Sequence, residues 1–107
     1  MEGIAKDLIG EDNIVSNYTL VGSTDMGDIS NIMPAVQPSV GGFMGGLHSK
    51  DFKIVNEDAA IILPAKLMAL TAARLLADGA KCAKLVKESF KPRFTKEEYI
   101  KYLEGEI

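Results

Sequence analysis

Residues 56–78, NEDAAIILPAKLMALTAARLLAD, decide the architecture. Asn56 can accept from the free amides of a first helical turn, and Glu57 and Asp58 stand where the helix dipole favours negative charge. From Ala59 to Leu76 the apolar residues cover most of a helical circumference, so the spacing predicts a long helix over 57–78 that is covered on several sides. Lys66 and Arg74 mark its wetter face. Pro64 lies past the first turn, withdraws one backbone donor and is expected to bend the helix.

Beyond this stretch, Gly79 permits a break, and residues 80–90 (AKCAKLVKESF) read as a second helix that closes before Pro92. Thr95 and Glu98 match a capping box, which predicts a last helix with Tyr99, Tyr102 and Leu103 as its apolar stripe. Before the long helix, residues 22–46 hold six glycines (22, 27, 41, 42, 45 and 46) and two prolines (34 and 38). Ile29, Met33, Val36 and Phe43 give that stretch apolar side chains to bury, so it reads as structured loop with special backbone conformations. Within it, residues 25–32 are expected to form a short helix capped by Ser23 or Thr24. Residues 35–43 are expected to form a strand that Pro38 pushes to an edge. Nearer the start, 14–21 (IVSNYTLV) reads as a strand, and 2–9 (EGIAKDLI) as a helix stopped by Gly10. Loops and strands followed by helices imply an α/β or α+β class.

A chain of 107 residues, 47% hydrophobic, fits one domain spanning 1–107. Its net charge is -3, and its Lys and Arg are spread through the second half, so there is no concentrated basic face for nucleic acid. The single cysteine, Cys82, forms no intrachain disulfide, and the acidic start leaves no room for a signal peptide; both make the cytoplasm the expectation. Pro64, Lys66 and Arg74 interrupt the longest apolar run, which argues against an ordinary membrane span.

Two places carry groups for chemistry. His48, the one histidine, lies in GGFMGGLHSKDF, residues 41–52. A neutral imidazole is a good zinc ligand, and glycines such as Gly46 let backbone pass close to a metal or substrate. The second place is GSTDMGDIS, residues 22–30, where Asp25 and Asp28 stand three apart. They can hold a metal, orient a metal-bound histidine, or simply complement a helix start capped by Ser23 and Thr24. No HExxH, CxxC, GxSxG or phosphate-loop motif accompanies them. Cys82 among lysines 81, 84 and 87 reads as structural, and the methionines read as core filler.

Taken in order, GSTDMGDISNIMPAVQ, GGLHSKDF and the alanine- and leucine-rich helix resemble the end of the zinc-dependent amidohydrolases and peptidases of the aminoacylase and carboxypeptidase superfamily. Within it, the p-aminobenzoyl-glutamate hydrolase-like proteins are the nearest in pattern. The resemblance is densest over 22–49 and extends to about residue 90. It implies a partial three-layer α/β catalytic domain of the zinc aminopeptidase-like kind, without the lid domain that often mediates dimerisation. In that family two zinc ions activate a water that attacks an amide carbonyl while a carboxylate shuttles the proton. The last metal ligand is a histidine near the carboxy terminus, and His48 matches it. Ser23, Thr24, Asp25, Asp28 and Gly46 are implied to line the metal or substrate site.

The departures are large, since this chain has no second histidine and no recognisable glutamate metal motif. The resemblance therefore implies a C-terminal fragment of an amidohydrolase acting on N-acyl amino acids or dipeptide-like substrates. Catalysis would need the upstream half of the domain or a partner subunit, in an assembly expected to be a homo-oligomer. The alternative is a self-associating interaction module that kept the sequence without the chemistry.

Overall fold

The computed structural model describes residues 1–16 and 22–106. Its frame is the long helix the sequence announces. Asn56 caps it by accepting from the Ala59 amide, 3.1 Å from its Oδ1. The first turns, Asp58–Ile62, are π-helical, and α3 continues from Leu63 to Ser89. The widened register sits just ahead of Pro64, which brings no N–H to the carbonyl four residues before it. Between Ala77 and Ala80 the backbone leaves the helix, with Asp78, Gly79 and Ala80 all in the left-handed region. The break expected at Gly79 is therefore present, and two helical pieces meet there. By length and composition Asp58–Ser89 is a candidate membrane span. It nevertheless holds Lys66 and Arg74, each of which costs about 2.5–3.5 kcal/mol at a bilayer centre.

Helix α1 runs Glu2–Ile9 and stops at Gly10, whose φ is 80°. Its apolar side packs on α3, where Ile4 and Leu67 are buried. Lys6 is placed 2.7 Å from Glu11 and 3.4 Å from Glu2, and these carboxylates raise its pKa. A 3-10 turn, Glu11–Asn13, leads to an extended Ile14. Residues 14–16 form no strand, and the rest of the strand expected over 14–21 falls outside the described residues.

Helix α2 is Asp25–Ser30, two residues shorter than expected, with Thr24 at its N-cap. The strand expected over 35–43 shrinks to β1, Phe43–Met44, which pairs antiparallel with β2, Lys53–Ile54. Two causes act together. Pro34 and Pro38 cannot donate to a ladder, and Gly42, at φ 94°, turns the chain out of extended geometry. A Cβ on Gly42 would lie 2.5 Å from the Asn56 carbonyl oxygen and 2.7 Å from the Ala60 nitrogen. The Gly42 carbonyl also accepts from the Val55 and Asn56 amides, at 2.9 and 3.1 Å. Only glycine fits where the foot of the hairpin meets the start of the long helix.

The last helix, α4, is Lys96–Leu103. Its capping box is complete: the Thr95 amide donates to Glu98 Oε2 at 2.8 Å, and the Glu98 amide donates to Thr95 Oγ1 at 3.2 Å. The Thr95 amide, and then its hydroxyl, hold the Glu98 carboxyl below its usual range.

Among the described residues the buried apolar side chains are Ile4, Ala60, Leu67 and Tyr99. This corrects the expectation of a long helix covered on several sides, since Ile61, Met68 and Leu76 are exposed. It also corrects the reading of the methionines as core filler, because Met33 and Met44 lie open as well. Among the described residues nothing packs closely enough over these side chains to bury them. The radius of gyration is 16.9 Å, against about 13 Å for a compact chain of this length. Taken together the described residues form a mixed, helix-rich structure with one two-stranded sheet.

Candidate functional site

The segment 22–37 folds back on itself. Thr24 has extended backbone and leads into α2, but its hydroxyl does not cap the helix; it donates to Gln37 Oε1 at 2.9 Å. This cross-link draws the two ends of the segment together around an open cleft of about 520 Å³. Ser23, Thr24, Asp28 and Gln37 give the cleft its polar groups, and Met26 and Val36 give it apolar ones. At the far end of α2, Asn31 Nδ2 donates to the Gly27 carbonyl at 2.9 Å and tightens the last turn.

Behind this cleft lies the C-terminal segment. The Asn31 carbonyl accepts from the Arg93 amide at 2.9 Å and from the Phe94 amide at 3.4 Å. Phe94 stacks on Tyr102 with ring centres 5.6 Å apart and leans on Tyr99 at 6.1 Å. Tyr99 is buried, and its hydroxyl has no well-formed hydrogen bond. Burial first, and then the Asp28 carboxylate beside it, push the Tyr99 hydroxyl up to about 12.

His48 occupies a different place. It lies in the loop joining β1 to β2, with φ at 63° and its side chain exposed. The loop is closed by its own turns: the Ser49 amide donates to the Gly46 carbonyl at 3.1 Å, and Phe52 to the Ser49 carbonyl at 3.2 Å. At its foot Phe43 stacks on Phe52, ring centres 5.1 Å apart and planes 11° from parallel. A non-glycine residue in the left-handed region is uncommon, and such residues gather at functional sites.

The structure thus gathers Ser23, Thr24 and Asp28 into one cleft and leaves Asp25, Gly46 and His48 outside its lining. Asp25, the first residue of α2, is exposed. Among the described residues no three of His, Cys, Asp and Glu converge as a metal-binding group. The described residues alone do not make a zinc centre, and His48 is the one imidazole of the chain. Two participants escaped the sequence reading. Gln37 carried no signal. Tyr99 did: a phenol in a helix's apolar stripe brings a hydroxyl that needs a partner once buried.

These observations define a mixed, helix-rich chain with an antiparallel hairpin and an open polar cleft. No family model matches it, and no curated protein or solved structure matches it.

Proposed function

We propose that the chain is the carboxy-terminal part of the catalytic domain of a metal-dependent amidohydrolase. It would cleave an amide bond of an N-acyl amino acid or dipeptide-like substrate, of the aminobenzoyl-glutamate kind. One observation carries this reading: an exposed imidazole is held in left-handed backbone on a glycine-anchored hairpin, and among the described residues no group of three metal donors converges. Such a histidine is arranged to reach a partner surface. In this reading His48 is one zinc ligand, and Ser23, Thr24, Asp25, Asp28 and Gly46 shape the metal or substrate site. The remaining ligands and the proton-shuttling carboxylate come from the upstream half of the domain or from a partner subunit, in the cytoplasm.

The exposed apolar surface supports the need for a partner. The chain exposes 8797 Å², where a compact 11.5 kDa protein exposes about 5,800 Å². The excess, on the order of 3,000 Å², is the size of an obligate interface. Mixing the chain with the upstream half and following release of glutamate from N-acylated substrates is the test. A well-folded pair that binds no zinc and releases no amino acid sinks the reading.

The same excess favours one alternative, a non-catalytic module that covers its apolar face with another copy of itself. Sedimentation with metal analysis separates the two: a zinc-free oligomer supports the module, and one tightly held zinc per chain supports a hydrolase site completed between subunits.

A further inference from the structure

The long helix buries Ala60 and Leu67 on one side. Away from them runs a stripe of Ile61, Ala65, Met68, Ala72 and Leu76, spaced three or four apart and all exposed. Ile61, Met68 and Leu76 are 50, 65 and 70% exposed, so water meets large apolar side chains along about 22 Å of helix. Lys66 and Arg74 stand one or two residues from the stripe positions and therefore point off it. From either end the order is a bulky residue, alanine, methionine, alanine and a bulky residue. A two-fold contact needs a patch that fits itself, and this palindrome does so with the helices antiparallel. With the axis between Met68 and Ala69, Ile61 of one copy meets Leu76 of the other. Ala65 meets Ala72, and their small side chains let the backbones approach. Charge favours the same direction. Acidic Glu57 and Asp58 precede the stripe, and Lys81, Lys84 and Lys87 follow it beyond the break at 77–80. An antiparallel copy sets the acidic start of each helix beside the lysine-bearing piece of the other and opposes the helix dipoles.

We propose that this stripe is the interface between two copies of the chain, paired antiparallel through their long helices. The inference rests on the reading above that a partner covers the apolar surface, and it names the partner, the face and the direction. The area suffices. The chain exposes on the order of 3,000 Å² beyond a compact chain of its mass, and a stable dimer takes roughly 800 Å² from each partner. The remainder is left for the upstream half.

Sedimentation of the full chain is expected to give the mass of two copies. Ala72→Glu puts a carboxylate on the stripe at an exposed position and should halve that mass with helix content unchanged. A wild type that sediments as one copy, or an Ala72→Glu variant that keeps helix and stays paired, overturns the proposal. Should that variant lose its helices, cross-linking decides in a Cys82→Ser background. A chain carrying Ile61→Cys, mixed with one carrying Leu76→Cys, is expected to join through a short thiol cross-linker. Leu76→Cys alone should not, because antiparallel pairing holds its two thiols about 22 Å apart along the helices. The opposite pattern, or no cross-link in the mixture, overturns the proposal. Adding the upstream half separates the pairing from the hydrolase reading. Hydrolysis in a mixture that has lost the cross-link shows that the upstream half occupies the stripe, and it removes the pairing alone. A cross-link that persists in a mixture hydrolysing nothing removes the hydrolase reading and leaves the pairing standing.

Discussion

The cleft of residues 22–37 and the hairpin of residues 43–54 carry the two halves of the candidate site, and they are supported in opposite ways. The cleft is cross-braced from within the chain, by Thr24 on Gln37 in front and by the C-terminal segment on Asn31 behind. Among the described residues the hairpin is held at its foot, where Gly42 meets Asn56 and Ala60, while Phe43, Met44 and Leu47 lie open along it. A braced polar cleft can select a ligand by itself. In the hydrolase reading proposed above, the uncovered arm with a histidine in its loop gains its purpose from what it docks against.

The sharpest way to break that contrast is at the hairpin's foot. Gly42→Val places a branched side chain at φ 94° and drives its Cβ into backbone atoms of Asn56 and Ala60. Left-handed strain and overpacking together are expected to cost on the order of 4 kcal/mol. Denaturant unfolding with residue-resolved amide exchange should show the hairpin lost first and the cleft amides still protected. Simultaneous loss of both would mean that the hairpin is part of the cleft's own support.

Leu67→Ala acts on the frame that both regions share. Leu67 is 5% exposed on the long helix, which packs against α1, so its truncation is expected to cost about 3 kcal/mol. With so small a core, protection should fall in both regions together. A selective loss in either one would show that the frame is not common to them.

Alkaline pH separates the two regions without a mutation. The Tyr99 phenol is raised in the folded chain, so its neutral form is the one the fold prefers. Its contribution is fully present below the ordinary 10.0 and is lost as pH rises through about 12. Exchange or proteolysis across that window should loosen the cleft and α4 before the hairpin, and Tyr99→Phe should flatten the response.

A smaller effect is expected at the start of α4. Thr95→Ala removes one half of the capping box and is expected to cost about 1 kcal/mol. Lowering the pH acts on the other half: the Glu98 carboxyl is held below its ordinary 4.5, so its contribution is present above that value and disappears as pH falls through the depressed one. Thermal unfolding of Thr95→Ala at neutral pH, set beside acid titration of the wild type, should weaken the backing of the cleft and leave the hairpin unchanged.

The sequence legibly carried whatever depends on neighbours along the chain. The stop at Gly10, the Asn56 cap, the break at 77–80 and the Thr95–Glu98 box are all local chemistry, and all are present. What failed depends on distant partners. A strand over 35–43 needs a ladder that this chain does not bring, and a helix covered on several sides needs neighbours to cover it. Thr24 shows the same limit within the site. Its position reads as an N-cap, yet its oxygen accepts from no helix amide and its hydroxyl donates to Gln37, thirteen residues away, a partner that local sequence does not announce. Tyr99 was visible as an apolar stripe residue, and its relation to Asp28 was not, since 71 residues separate them (99 minus 28).

His48→Gly gives the smallest change in stability and the most informative one. The histidine sits at φ 63°, where a side chain costs about 1 kcal/mol and glycine costs nothing. Glycine's greater freedom in the unfolded chain offsets about 0.5–1 kcal/mol of that relief. The net change should stay under about 1 kcal/mol in denaturant unfolding, and the exposed imidazole gives up no packing. Paired with the upstream half, the same variant should lose zinc and hydrolysis together. A residue whose removal leaves the fold untouched and empties the site is there for the site. Loss of several kcal/mol would instead make His48 a structural part of its loop, and a fully active pair would show that the metal is held without it.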